Sequence, residues 1–96
     1  MSYAFRRDGR PRRITVRIVK YLLTHPPATR TRILRELGYE TKVMRSWVVE
    51  GIFNELVEME CLEEFYGIDP RTGRRARLYR IRDLSKCKIP EEYLAE

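Results

Sequence analysis

The chain has 96 residues, 35% of them charged and 43% hydrophobic, with a formal net charge of +6. A chain of this length buries roughly 60–65% of its unfolded surface, which suffices for one thin core and excludes a two-domain enzyme. No uninterrupted apolar run exceeds three residues, far below the ~20 that cross a bilayer. Residues 1–13 lack the apolar stretch of a secretory signal, so the expected compartment is the cytoplasm.

The positive charge is lopsided, with sixteen Arg against four Lys. Arginine offers a planar fork that suits phosphates and base edges. The charge also lies in blocks. Residues 1–13 carry +4, 14–49 carry +5, 50–66 carry −6, 67–82 carry +5 and 83–96 carry −2. Three basic blocks around one acidic segment could converge on a single face; solvated surface is the plainer reading of the same pattern. Gln is absent and Asn54 is the one Asn, and scarce amides with dense charge point to a hot-environment source.

Residues 1–13, with Arg6, Arg7, Arg10, Arg12 and Arg13 around Gly9 and Pro11, read as a flexible basic arm. From Ile14 the pattern turns helical: Ile14, Ile18 and Leu22 recur every four residues, beside Val19 and Leu23, until Pro26-Pro27 block continuation. That is helix 1, about 14–24. Thr29 is a good N-cap for a short helix 2 over about 30–37, with Ile33, Leu34 and Leu37 inward and Gly38 suited to the left-handed position at its end. Helix 3 is expected over about 41–60, from Thr41 or, with 39–46 as a loop, from Ser46. Met44, Val48, Ile52, Leu56 and Met59 form its stripe, Trp47 joins the core, and Gly51 permits close helix approach. Leu62 to Ile68 is strand-like, Asp69-Pro70-Arg71-Thr72-Gly73 is turn chemistry, and Arg74 to Ile81 alternates. The result is a β-hairpin with an arginine-rich tip. The tail, 83–96, holds a last helical turn near Pro90–Ala95.

Helix, short capped helix, longer helix, then hairpin is the order of a winged helix-turn-helix. Three stretches carry the likeness: Thr29 to Gly38, Asn54 to Leu62 and Gly67 to Ile81. On these the chain resembles the winged helix-turn-helix DNA-binding family, and is similar to regulators of the multiple-antibiotic-resistance-regulator type and to small archaeal or archaeal-virus regulators. The fold class implied is α+β, mostly α: a three-helix winged helix-turn-helix over 14–82 with a C-terminal β-hairpin wing. Two departures stand out. Glu60 or Cys61 stands where such proteins often have glycine, and the stretch from Gly38 to Leu56 is longer than expected.

The resemblance implies sequence-specific binding of double-stranded DNA by a transcriptional regulator acting as a homodimer, two copies matching two half-sites. It places the recognition helix, about 41–60, in the major groove, with Lys42, Arg45, Ser46 and Val49 on its exposed face. The wing, 68–77, brings Arg71, Arg74, Arg75 and Arg77 to the minor groove or backbone, since a narrow groove attracts arginine. Thr29, Arg30, Thr31 and Arg32 open helix 2, where free N–H groups and arginines favour a phosphate. The arm arginines could follow backbone or minor groove. The alternative function is a winged-helix protein-interaction module in a transcription or replication assembly.

Catalytic chemistry has little footing, so no enzyme is expected. His25 is the single histidine and sits beside two prolines, and Cys61, Cys87 and His25 do not match zinc spacing. No glycine-rich phosphate loop is present, and no cofactor, metal, small-molecule substrate or membrane partner is expected. The acidic residues from Glu50 to Glu64 read as a solvated flank of helix 3. Cys61 and Cys87 are a candidate disulfide, within a chain or between two, since hyperthermophiles keep such bonds inside the cell. The reading leans narrowly to two free thiols, because sequence gives no Cα separation.

Overall fold

The computed structural model describes residues 2–40, 42 and 46–95. Helix α1, Arg13–Thr24, buries Thr15, Ile18, Val19, Tyr21 and Leu22 on one face. His25 leaves it in extended conformation ahead of the two prolines. Helix α2, Arg30–Glu36, starts where the Thr29 hydroxyl accepts the Arg32 N–H at 3.1 Å. It ends where Gly38 turns left-handed at φ 87° and the Tyr39 N–H closes on the Leu34 carbonyl.

Helix α3, Trp47–Glu58, begins later than the 41–60 expectation. Ser46 is its cap, the hydroxyl accepting from the Val48 N–H at 3.1 Å. Thr41, Met44 and Arg45 lie outside the described residues. The buried stripe is Val49, Ile52, Phe53 and Leu56. Trp47 precedes Val49 by two residues, about 200° around the helix, so it points to solvent and is 68% exposed rather than in the core. Glu60 ends this helix in the left-handed region, φ 66°, at the place where glycine would be unstrained. Its carboxylate pairs with Lys86.

Strands β1, Leu62–Ile68, and β2, Arg75–Ile81, form an antiparallel hairpin in which Leu62 faces Ile81, Glu64 faces Tyr79 and Tyr66 faces Arg77. Three helices followed by this hairpin make a winged-helix arrangement. The connection between α1 and α2 adds a strand-like bridge, Ala28 and Tyr79 exchanging backbone hydrogen bonds of 3.3 and 2.9 Å. Phe53 packs on the Tyr79 ring at 4.9 Å, joining α3 to the sheet.

The N-terminal segment is not a free arm. Ala4 is fully buried, and its carbonyl accepts both the Thr15 hydroxyl at 2.8 Å and the Arg12 N–H at 3.0 Å. Gly9, left-handed at φ 87°, lets the chain reverse so that Phe5 pairs with Pro11. Ser2, Tyr3 and Ala4 converge on the Glu55 carboxylate of α3. Burial alone would raise that carboxyl; the Ser2 hydroxyl and the two amides outweigh it and hold it below the usual range. The close approach that Gly51 permits is with the Tyr3 ring rather than another helix: a Cβ there would lie 2.5 Å from it. Gly9 and Pro11 indicate a turn as readily as disorder, and nothing local announces a docking site fifty residues away.

The tail is also anchored. A short 3₁₀ turn, Leu84–Lys86, is capped by Asp83, and helix α4, Glu91–Leu94, lies against α1. Between them Cys87 is joined to Cys61 by a disulfide with Cα atoms 4.5 Å apart, both residues fully buried. The lean toward free thiols is therefore corrected. The left-handed turn at Glu60 brings Cys61 under the tail, a proximity set by tertiary structure.

Candidate nucleic-acid interface

The Ala28–Tyr79 bridge sets the start of α2 beside β2. Thr29, Arg30 and Thr31 thereby line a shallow groove of about 350 Å³ whose other wall is Tyr66, Arg77 and Tyr79. The two walls are far apart in sequence, and the groove has a cation on each. Arg77 donates to the Tyr66 hydroxyl at 3.0 Å, lies 5.6 Å from that ring's centroid and sits 3.6 Å from Glu64. The Tyr66 hydrogen bond stabilises the charged form of Arg77, raising its already high pKa. Tyr79 donates to Glu64 at 2.9 Å. Burial, reinforced by that hydrogen bond, pushes the Tyr79 phenol up to about 12, so it remains a neutral donor.

Toward the hairpin turn, Arg74 and Arg75 are exposed, and among the described residues neither side chain has an ion-pair partner. Ile68 and Tyr66 beside them are 63% and 64% exposed. Arginine next to an exposed aromatic on a hairpin face can meet both phosphate charge and base or sugar surface. The turn itself is fixed: the Asp69 carboxylate accepts the Arg71 N–H at 3.0 Å, and Gly73 takes the left-handed conformation at φ 71°.

Arg71 stands apart from its neighbours on the wing. Its guanidinium pairs with Glu36 at the end of α2 and donates to the Tyr21 hydroxyl at 3.2 Å. Hydrogen bonds from Arg71, then Tyr21, hold the Glu36 carboxyl near 2. A guanidinium so engaged anchors the turn, whereas Arg74 and Arg75 have no ion-pair partner among the described residues. No short-range sequence signal marks this triad, because its members lie on α1, α2 and the turn.

The face assigned to helix 3 also changes. Val49 is 3% exposed and belongs to the core. Ser46 uses its hydroxyl as a cap, Lys42 is exposed, and Arg45 lies outside the described residues. The exposed side of α3 carries Trp47, Glu50, Asn54 and Glu58, with the Trp47 ring edge-on to Tyr3 at 5.6 Å. Arg32 is half-buried at the third position after the Thr29 cap. Among the described residues no group of His, Cys, Asp and Glu is arranged to hold a metal ion, and no helix is long and apolar enough to cross a membrane.

No protein-family model matches the chain, and no curated protein or solved structure matches it either.

Proposed function

We propose that the chain is a winged helix-turn-helix DNA-binding protein that holds duplex DNA through the start of α2 and the hairpin. The observation that carries this reading is the groove with Arg30 on one wall and Arg77 on the other, with the exposed Arg74 and Arg75 toward the hairpin turn. Two elements remote in sequence present guanidinium groups along one surface, which suits a phosphate backbone. The hairpin arginines follow the backbone or a narrow minor groove. Lys42 and the start of α3 are assigned to the adjacent groove as the source of sequence preference. A transcriptional regulator acting inside the cell as a homodimer fits this size, since one such domain offers limited contact. The buried disulfide accords with a hot-environment source.

The test is duplex binding measured by fluorescence anisotropy across a salt series. Log affinity should fall linearly with log salt at about 0.9 per phosphate contact. Affinity that stays flat with salt would exclude the reading.

A specific observation favours a second reading. The exposed face of α3 has an accessible Trp47 and the carboxylates of Glu50 and Glu58, which repel phosphate. A winged helix docking a protein partner through this face is the alternative. Loss of partner binding in Trp47→Ala, with duplex binding unchanged, would select it.

A further inference from the structure

A second basic groove lies on the other side of α1. Its walls are Arg6 from the N-terminal turn, Arg13, Arg17 and Lys20 from α1, and Tyr93 from α4, and among the described residues no acidic one lines its volume of about 420 Å³. Arg13, Arg17 and Lys20 recur at i, i+4 and i+7, so they share one face of α1 over about 10 Å. That face is opposite the residues α1 buries against the core, where it meets β2. The docking of Ala4 and the Phe5–Pro11 pairing hold Arg6 at this site. Arg17 donates one N–H to the Leu37 carbonyl at 2.7 Å and lies 5.2 Å from the Tyr39 ring centroid, which fixes its guanidinium at the groove's edge.

We infer that this groove binds a second nucleic-acid backbone, so that one chain can bridge two duplex segments. The inference rests on the hairpin face binding the first. A row of cations about 10 Å long can meet about two successive phosphates of one strand. Arginine forks on three of four basic positions suit bidentate phosphate contact, and the shallow floor of Pro11 and Val16 suits a sugar edge.

The experiment holds one biotinylated duplex on beads and offers a second, dye-labelled duplex in solution. Wild-type protein should retain the labelled duplex. Arg6→Gln with Arg13→Gln should lower that retention by about tenfold, as two phosphate contacts are lost, while affinity for a single duplex changes little. Arg6→Lys with Arg13→Lys keeps the charge and should still bridge; melting curves confirm that both variants fold. Unchanged retention by the Gln variant would assign bridging to two hairpin faces of a dimer and overturn the inference. Single-duplex binding by wild type without bridging would overturn it too, leaving the hairpin reading intact. A chain that binds no duplex sinks the hairpin reading, and this one with it. If wild type captures no second duplex but binds polyglutamate, and the Gln variant loses that binding, the groove belongs to an acidic peptide and the inference falls.

Discussion

Arg71 on the hairpin turn is paired with Glu36 at the last position of α2, 35 residues earlier in the chain. The pair ties the turn to the helical layer, and the Tyr21 hydroxyl seals it from the α1 side by donating to the other Glu36 oxygen at 2.5 Å. The hairpin is therefore held at both ends: at its base by the core and at its turn by this triad.

The acid response of the protein should report the triad. The Glu36 carboxyl lies near 2 in the folded chain against an ordinary 4.5. A folded value below the unfolded one contributes stability that is complete above about pH 4.5 and disappears as the pH falls toward 2. Glu36→Gln should lower the melting temperature at neutral pH and make the loss between those limits shallower. Glu55, Glu60 and Glu63 are also held low, so some acid sensitivity persists. Melting curves of both proteins across this range check it; parallel curves would show that Glu36 carries no linked proton.

The same triad separates the wing arginines by role. Replacing Arg74 and Arg75 with Ala should weaken binding to all duplex sequences alike and reduce the salt slope by about two contacts' worth, roughly 1.8. Arg71→Ala should instead lower the melting temperature and leave the slope at the wild-type value. Equal slope losses at all three positions would mean that Arg71 leaves Glu36 when DNA binds.

What was legible in the sequence was what periodicity and turn chemistry encode locally. Thr29 and Gly38 bracket α2, Asp69 to Gly73 reverses the hairpin, and the alternation of Arg75 to Ile81 gives its faces. The start of α3 was ambiguous because Thr41 and Ser46 are both competent caps and apolar residues follow each. Choosing the earlier start rotated the assigned face, which placed Trp47 inside and Val49 outside. Three features depend on contacts more than twenty residues apart: Ala4 with Glu55, Cys61 with Cys87, and Glu36 with Arg71. Only folding brings them together, so composition reads the N-terminal segment as a free arm and gives no sign of the pairing of Arg71 with Glu36.

The disulfide should account for a large share of stability. It joins residues 26 positions apart, and closing that loop in the unfolded chain contributes about 3–4 kcal/mol. Reductant, or Cys61→Ala with Cys87→Ala, should lower unfolding free energy in urea by about that amount, within a typical total of about 5–15 kcal/mol. Non-reducing electrophoresis should show a monomer band, and denatured unreduced protein should titrate no thiol. A dimer band that reductant collapses would place the bridge between chains.

The contact between Tyr3 and Gly51 offers a test in which one substitution changes sign with its background. A Cβ at position 51 would fall 2.5–2.9 Å from three atoms of the Tyr3 ring, closer than packed atoms approach. Because the ring belongs to a segment held by Ala4 and Glu55, it cannot swing aside without loosening those bonds. Gly51→Ala alone should therefore destabilise the domain by about 1–3 kcal/mol, the usual effect of overpacking. In a Tyr3→Ala background the space is vacant, and what remains is the helix preference of alanine over glycine, roughly 0.5–1 kcal/mol in the stabilising direction. Urea unfolding of the wild type, both single variants and the double variant completes the cycle. A coupling near zero would mean that Tyr3 does not rest on α3 in solution, and that the N-terminal segment is the mobile arm its composition suggests.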